Sequence, residues 1–221
     1  LKNKINLNYR PDIIINCIAT HEFSKKNKDI DYINSNIISV QNLLDFAQKQ
    51  NVRKFINLST MRVYEKKNVK TIDEKQKTIF KSYDLLGVTK LLGEKLIKEQ
   101  SLNYINLRLP GVLCSNTLGQ RPWLNLLIKK IINNKTVTVF NPNSLFNNVI
   151  DTREIVKFID QIKDNKKIIK DYFNLSASKP IKIIEVVEII KNYFSSDSKI
   201  MIKKKNKISA IVSISKINKK L

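Results

Sequence analysis

Short apolar runs alternate with longer amphipathic stretches in the first half of the chain. Residues 11–20 (PDIIINCIAT), 52–60 (VRKFINLST) and 103–109 (NYINLRL) have the length and apolar character of buried parallel strands. Between them, apolar residues recur at helical spacing over residues 30–50 and 83–100. Strands that alternate with helices predict βαβ units and a parallel sheet.

The second half of the chain has the same kinds of segment in a less regular order. Helical periodicity predicts helices near residues 122–134, 152–163 and 182–195. Strand-like segments are predicted at residues 136–140, 171–177 and 199–213. No low-complexity linker divides the two halves, so the pattern predicts one folded α/β unit with a more mixed C-terminal lobe.

The composition is that of a soluble globular protein. The 221 residues are 42% hydrophobic, and no apolar run approaches the roughly 18 residues needed to cross a bilayer. The chain begins with Leu1 and no secretory signal follows, so we expect a cytoplasmic protein. The single His21 and the widely separated Cys17 and Cys114 cannot build a metal cluster. We expect both cysteines to be reduced and buried.

The net charge of +22 raises the question of a nucleic-acid partner. Only six of the 41 cationic residues are arginine, and the lysines are scattered among Asn and Ile. A nucleic-acid surface would concentrate Arg with exposed aromatics, because Arg makes bidentate phosphate contacts and stacks on bases. The composition therefore argues against nucleic acid and leaves a basic RNA-binding protein only as an alternative.

Residues 83–94, YDLLGVTKLLGE, resemble the active-site helix of the extended short-chain dehydrogenase/reductases, and within them the NAD-dependent epimerase/dehydratase group that acts on nucleotide sugars. Five further segments are similar to the same family in its order and spacing. They are PDIIINCIAT (11–20), NSNIISVQNLLDFAQKQNVRKFINLSTMRVYE (34–65), INLRLPGVLC (105–114), FNNVIDTREIVKFI (146–159) and FNLSASKPIKIIEVVEII (173–190). Each alone is weakly specific, whereas the six together indicate the family over almost the whole chain.

The resemblance implies a Rossmann-like parallel sheet flanked by helices, with a smaller mixed C-terminal substrate lobe. We expect residues 1–115 to form a partial NAD(P)-binding domain. Residues 116–221 would form mainly the substrate-binding lobe, with some elements returning to the sheet. The family binds the cofactor pyrophosphate on a glycine-rich turn after its first strand. The first 86 residues contain no glycine, so this turn and the N-terminal βαβ portion are expected to be missing.

The resemblance makes Thr60 and Lys90 the catalytic residues. Thr60 would hydrogen-bond the sugar hydroxyl or keto oxygen. Lys90 would hold the nicotinamide ribose and lower the pKa of a tyrosine one helical turn before it. Leu86 occupies that tyrosine position and has no proton to exchange, so we interpret it as core packing. Tyr83 lies roughly 10 Å along the helix axis from Lys90, too far to replace the missing hydroxyl.

The resemblance also implies one wall of an NAD or NADP site, without distinguishing the two cofactors. Its residues lie at the ends of the predicted strands and on the helices that follow them. They are Cys17, Ile18 and Ala19 along the adenosine ribose and phosphates, Asn36 near the cofactor, Leu58 and Ser59 on the nicotinamide side, Lys90 at the ribose, and Pro110, Gly111 and Val112 over the nicotinamide ring.

The substrate implied by the resemblance is a nucleotide sugar. Besides Thr60, Arg121 is the best-placed cation for its diphosphate, and Asn147 is a further candidate. The predicted function is that of an NAD-dependent nucleotide-sugar epimerase/dehydratase-like protein, acting by transient hydride transfer at a sugar carbon, and weak or inactive because of Leu86. The alternative is a non-catalytic scaffold of the same fold that binds a cofactor or a protein. A homodimer is compatible with both.

Overall fold

The computed structural model describes residues 9–20, 27–65, 69–79, 84–114, 122–166, 170–204 and 210–220. The strands are β1 (Ile13–Asn16), β2 (Lys54–Thr60), β3 (Thr71–Ile72), β4 (Asn103–Leu109), β5 (Gly111–Leu113), β6 (Val137–Phe140), β7 (Leu145–Phe146), β8 (Val149–Asp151), β9 (Asp171–Asn174), β10 (Ile181–Lys182), β11 (Ile200–Lys203) and β12 (Ile211–Val212). The helices are α1 (Asp29–Ile33), α2 (Ser39–Lys49), α3 (Leu85–Lys98), α4 (Pro122–Ile132), α5 (Thr152–Ile162), α6 (Ile183–Tyr193) and α7 (Ser215–Asn218).

The largest sheet of the described residues is parallel and has the strand order β1-β2-β4-β9. The first three strands coincide with the apolar runs at residues 11–20, 52–60 and 103–109, and helices connect them. The predicted α/β class with a Rossmann-like parallel sheet is therefore confirmed. The fourth strand, β9, comes from the second half of the chain and lies beside β4.

The two faces of this sheet carry separate apolar cores, because successive side chains of a strand point to opposite faces. Ile56 and Leu107 belong to a core that includes Phe158 of α5. Phe55, one residue before Ile56, and Tyr104, three residues before Leu107, belong to a core built with α2 and α3. Helices on both faces of a parallel sheet account for the near-continuous apolar sequence of its strands.

Two glycines allow α3 to approach its neighbours closely. A Cβ atom on Gly87 would lie 2.5 Å from the carbonyl oxygen of Arg62, and one on Gly93 would lie 2.6 Å from that of Asn36. Either distance is shorter than side-chain carbons tolerate, so both positions require glycine. Asp84 caps the first turn of the helix by accepting a hydrogen bond from the Gly87 amide at 3.1 Å. The start of α3 is thereby held against the 3₁₀ turn Met61–Val63 that follows β2.

The second half of the chain adds short two-stranded sheets to this core. They pair β5 with β8, β6 with β11, β7 with β10, and β3 with β12. Helices α4 and α6 pack with β6 around a further apolar cluster. The sequence pattern did not predict β5 and β8, because strands of three residues are too short to show a period. No helix in the described ranges has the length and apolar character needed to span a membrane.

Candidate functional site

Lys90 of α3 reaches the C-terminal ends of the two neighbouring strands β1 and β2. Its Nζ atom donates to the carbonyl oxygen of Ile18 at 2.8 Å and to that of Leu58 at 3.0 Å. The residue is buried, with 5% of its surface exposed. In open parallel sheets, ligands bind outside the carboxyl ends of the strands. The structure thus brings together three of the predicted cofactor residues at the edge where a ligand is expected.

The charge of Lys90 is poorly solvated at this position. Burial lowers the pKa of Lys90 to about 8, while Cys17 and Glu94 act in the opposite direction. An ammonium group has three donors, and two of them are used by the Ile18 and Leu58 carbonyls. Within the described residues, no further hydrogen bond of Lys90 is made.

Cys17 lies just beyond the last residue of β1 and is exposed, so the expectation that both cysteines are buried is wrong for this one. Cys114 is half-buried. Cys17 follows Asn16, the last paired residue of β1, and β1 is at the edge of the main sheet among the described residues. Partial burial of the thiol raises the pKa of Cys17, and the nearby Lys90 charge opposes that rise.

Thr60 ends β2 and is half-buried. Its Oγ1 atom accepts a hydrogen bond from the Arg62 amide at 3.3 Å, which caps the 3₁₀ turn. Its register partner is Leu109, so Thr60 lies beside the strand end that leads into Pro110 and the buried Gly111. No hydrogen bond joins Thr60 to Lys90 among the described residues, and its role toward a substrate remains a prediction.

Leu86 lies one helical turn before Lys90 on α3 and is 6% exposed. The position that a catalytic tyrosine would need is therefore filled by a buried aliphatic side chain, as the core-packing interpretation expects. Tyr83 and Arg121 lie outside the described residues. Their proposed roles remain predictions from the sequence.

Asn36 lies in a π-helical turn, Asn34–Ile38, that interrupts the helix expected over residues 30–50. Its Nδ2 atom donates to Thr89 Oγ1 of α3 at 3.0 Å, and Thr89 Oγ1 donates to the Leu85 carbonyl at 2.6 Å. Its Oδ1 atom is the one buried side-chain polar atom without a hydrogen-bond partner in the described part of the chain. π-helical turns occur frequently at functional sites.

Asn147 uses its amide to join the segments that meet in the second half of the chain. Its Nδ2 atom donates to the carbonyls of Val212 at 2.8 Å and Ala177 at 3.0 Å, and its Oδ1 atom accepts from the Val212 amide at 2.8 Å. The residue is 2% exposed. These contacts give Asn147 a structural role, while the predicted contact with substrate stays a prediction.

A model of the NAD-dependent epimerase/dehydratase family matches residues 2–175, more than half of the chain. The chain belongs to this family. A curated relative, described as the uncharacterized UDP-glucose epimerase YtcB of Bacillus subtilis (strain 168), is 27% identical over 167 residues, which cover 73% of this chain and 51% of the relative. The chain thus spans about half the length of this curated relative.

Two solved structures share the fold of this chain. UDP-glucuronic acid 4-epimerase from Bacillus cereus, in complex with NAD, superposes with a TM-score of 0.76 at 23% identity, covering 95% of this chain and 68% of that one. The Bordetella bronchiseptica enzyme WbmG, in complex with NAD and UDP, gives a TM-score of 0.77 at 16% identity, covering 96% of this chain and 66% of that one. At these identities the likeness establishes the fold of the epimerase/dehydratase family and nothing finer.

The site of this family member also contains residues that the sequence analysis missed. Glu94 and Arg108 form a buried ion pair next to Lys90, with 2.6 Å between Arg108 Nη2 and Glu94 Oε2. Arg108 is the one charged residue within the apolar run NYINLRL, and a charge inside a buried strand signals a buried partner. A cavity of about 590 Å³ lies elsewhere, between α5 and the loop after β9, and none of the predicted site residues lines it.

Proposed function

We propose that this chain provides the nicotinamide-ribose side of an NAD(P) site and the adjoining substrate-facing end of β2, in a protein of the nucleotide-sugar epimerase/dehydratase type. We further propose that the chain binds these ligands without converting a nucleotide sugar at ordinary enzyme rates. The chain covers only part of its relatives' length, so the proposal concerns the site that the described residues can form.

The observation that carries the proposal is the position of Lys90. Its ammonium group is fixed by the carbonyls of Ile18 and Leu58, at 2.8 and 3.0 Å, where β1 and β2 end. Its third donor is left for a ligand, and vicinal ribose hydroxyls offer acceptors suited to a fixed ammonium group. Burial of a lysine that is not paired with a carboxylate is unfavourable for folding, which favours a binding role over a stabilising one.

The residues present fit one half of a nicotinamide dinucleotide. Leu58 and Ser59 lie beside Lys90, and Pro110 follows the strand next to Thr60. When bound, the cofactor supplies a hydride acceptor for reaction at a sugar carbon. A glycine-rich turn for the pyrophosphate does not occur in the described residues, and the first 86 residues of the sequence contain no glycine. We therefore expect the nicotinamide ribose half to be the part that this chain recognises.

A non-catalytic role is favoured by Leu86. Transient oxidation of a sugar hydroxyl requires a base within hydrogen-bond reach of the proton that leaves. Leu86 is 6% exposed and carries no titratable group. Leu86 therefore supports a non-catalytic scaffold of the epimerase/dehydratase fold. Such a scaffold binds a cofactor or a nucleotide sugar and converts neither.

The test begins with binding of nicotinamide mononucleotide and NADH to the chain, measured by calorimetry. Nicotinamide mononucleotide carries the ribose and ring without the pyrophosphate bridge, so it probes the fitting half alone. We expect both ligands to bind, and Lys90→Met to weaken both about tenfold, the loss of roughly 1.4 kcal/mol of hydrogen bonding. If neither ligand binds the unchanged chain at millimolar concentration, the cofactor proposal is wrong.

The second part of the test measures turnover of UDP-glucose with added NAD, followed by product analysis. We expect no turnover above the rate without protein. The matched variant is Leu86→Tyr, which restores a hydroxyl one helical turn before Lys90. Turnover at ordinary enzyme rates by the unchanged chain would contradict the non-catalytic proposal, and turnover by Leu86→Tyr alone would assign the defect to this position.

A further inference from the structure

A buried series of polar side chains crosses α3 and three strands of the main sheet. Ser59 Oγ donates to Glu94 Oε1 at 2.5 Å, and Arg108 contacts both carboxylate oxygens of Glu94, the shortest contact being 2.6 Å. Arg108 Nη1 also donates to the Tyr64 hydroxyl at 2.9 Å, and this hydroxyl donates to Asn174 Oδ1 of β9 at 2.7 Å. The side chains of the ion pair are 5% and 6% exposed.

Stability alone is a weak explanation for this ion pair. Removing two charges from water costs several kcal/mol per ion in real proteins, and apolar replacements of buried pairs are often neutral or stabilising. In some proteins, buried polar or ionic groups instead specify one relative placement of the elements that carry them.

Contacts of this series lie on both sides of Lys90 and Thr60, the two residues that the proposed function requires. Glu94 follows Lys90 by one helical turn, and these two residues bind consecutive positions of β2: Lys90 the Leu58 carbonyl, and Glu94 the Ser59 hydroxyl. Thr60 comes next in the strand. After Thr60, the 3₁₀ turn Met61–Val63 is followed by Tyr64, whose hydroxyl accepts a hydrogen bond from Arg108.

The register of the sheet completes this arrangement. Arg108 is the direct neighbour of Ser59 on β4, so one guanidinium group supports both the carboxylate that holds Ser59 and the hydroxyl of Tyr64. The rings of Tyr64 and Tyr172 also lie near Arg108, with their centroids 4.8 and 4.2 Å from its guanidinium carbon. A movement of α3 along β2 would break the contacts of Lys90 with Leu58 and of Glu94 with Ser59 and Arg108.

We propose that Glu94 and Arg108 are positioning residues, which hold the Lys90 ammonium group and the Thr60 hydroxyl in one fixed frame through Ser59 and Tyr64. This inference rests on the proposed function for its biological purpose, while the arrangement itself can be tested without a ligand. The groups that face Lys90 are the Cys17 thiol, the carbonyls of Ile18 and Leu58, and the Glu94 carboxylate on its own helix.

The test uses Glu94→Gln in the full chain and observes the Lys90 ammonium group by ¹⁵N NMR, assigned with a Lys90→Arg variant. An ammonium group held by two carbonyls exchanges slowly and gives a sharp signal. We expect Glu94→Gln to broaden this signal and to shift its titration midpoint to lower pH, because Glu94 favours the charged form of Lys90. The control is Glu99→Gln, which removes an exposed carboxylate just after α3 and should change neither property.

A second variant, Ser59→Ala, leaves the ion pair in place and removes only the link from Glu94 to β2. We expect broadening of the Lys90 signal here as well, on a smaller scale, with little loss of stability. If folded Glu94→Gln or Ser59→Ala retains the signal and midpoint of the unchanged chain, the positioning role is overturned. A lower urea midpoint with an unaltered Lys90 signal also overturns it, because it shows a purely stabilising role.

Binding of nicotinamide mononucleotide separates this inference from the proposed function. If the ligand binds, Glu94→Gln should raise its Kd about fivefold at pH 7.5, and Glu99→Gln should not. If the unchanged chain does not bind the ligand, the proposed function is wrong, and the NMR measurements still decide whether Glu94 and Ser59 position Lys90.

Discussion

Two buried lysines, Lys54 and Lys90, bind backbone carbonyls at opposite ends of β2, and we expect their burial to affect stability differently. Lys54 begins β2 and donates to the carbonyls of Ile162 and Asn165, both at 2.9 Å. Lys90 reaches the other end of β2 and donates to the carbonyls of Ile18 and Leu58. Both ammonium groups are bound by two backbone oxygens and lie almost entirely out of solvent, with 2% and 5% exposure.

The acceptors of the two lysines differ. Lys54 binds carbonyl oxygens at the end of α5 and just after it, where the helix dipole favours a cation. Lys90 binds the ends of two strands, which carry no comparable dipole. Burial lowers the pKa of both lysines, and for Lys90 the shift is large, to about 8. We therefore expect Lys54 to stabilise the fold and Lys90 to be held in place at the expense of stability.

The largest expected difference between the two lysines is in the pH dependence of the free energy of unfolding. In the folded protein the pKa of Lys90 is lowered from 10.5 to about 8, so between these values the unfolded chain binds more protons and stability rises with pH. We expect the free energy of unfolding of the unchanged chain to rise by about 3 kcal/mol relative to Lys90→Met between pH 7 and pH 10.5. Urea unfolding of both proteins across this range measures the difference.

Lys54→Met is the matched control for this experiment, since it removes the other buried lysine of the same strand. Its difference from the unchanged chain should vary less with pH. If both variants show the same pH dependence, burial of the charged lysine lowers the free energy of unfolding equally at the two sites. The proposed difference between Lys54 and Lys90 would then be wrong.

The next effect concerns stability at neutral pH. Lys54→Met removes the buried ammonium donor that binds the Ile162 and Asn165 carbonyls, and we expect it to lower the free energy of unfolding by about 2 kcal/mol. Lys90→Met also removes a donor from two carbonyls, but it removes a poorly solvated charge as well, so its net effect should be below about 1 kcal/mol. Urea unfolding at pH 7 compares them, and a larger loss for Lys90→Met would reverse the assignment of roles.

These two lysines also show what the sequence could and could not predict. Lys90 was identified because Gly87, Gly93 and Glu94 surround it in a family pattern, and the same pattern placed it correctly on α3. Lys54 was missed, because in a lysine-rich chain nothing local distinguishes a buried lysine from an exposed one. Its partners are more than 100 residues away at the end of α5, and only the tertiary fold brings them together.

The sequence predicted the strands and helices better than the irregular turns within them. The strands and helices of the main sheet follow from apolar period and length, whereas the π-helical turn at Asn34–Ile38 does not. Asn36 of this turn lies close to Gly93 on another helix, a tertiary contact that the sequence period does not show. The ion pair of Glu94 and Arg108 had a visible signal in the lone arginine of an apolar strand, but its partner could be found only from the packing of α3 on β4.

The smallest expected effect concerns the influence of the Lys90 charge on the Cys17 thiol, at the exposed end of β1. The Lys90 charge lowers the pKa of Cys17 against the effect of burial, so Lys90→Met should reduce the thiolate fraction at pH 8. We expect alkylation of Cys17 by iodoacetamide to slow by about twofold, as the thiolate is the reactive form.

Mass spectrometry follows this reaction, and the half-buried Cys114 serves as the internal reference in the same molecule. Lys54→Met should leave the Cys17 rate unchanged, because Lys54 contributes nothing to the pKa of that thiol. An unchanged rate in Lys90→Met would place the ammonium group too far from Cys17 to influence it. The open end of β1 would then be electrostatically separate from the lysine, and the proposed site would have to be built from the Leu58 and Thr60 side alone.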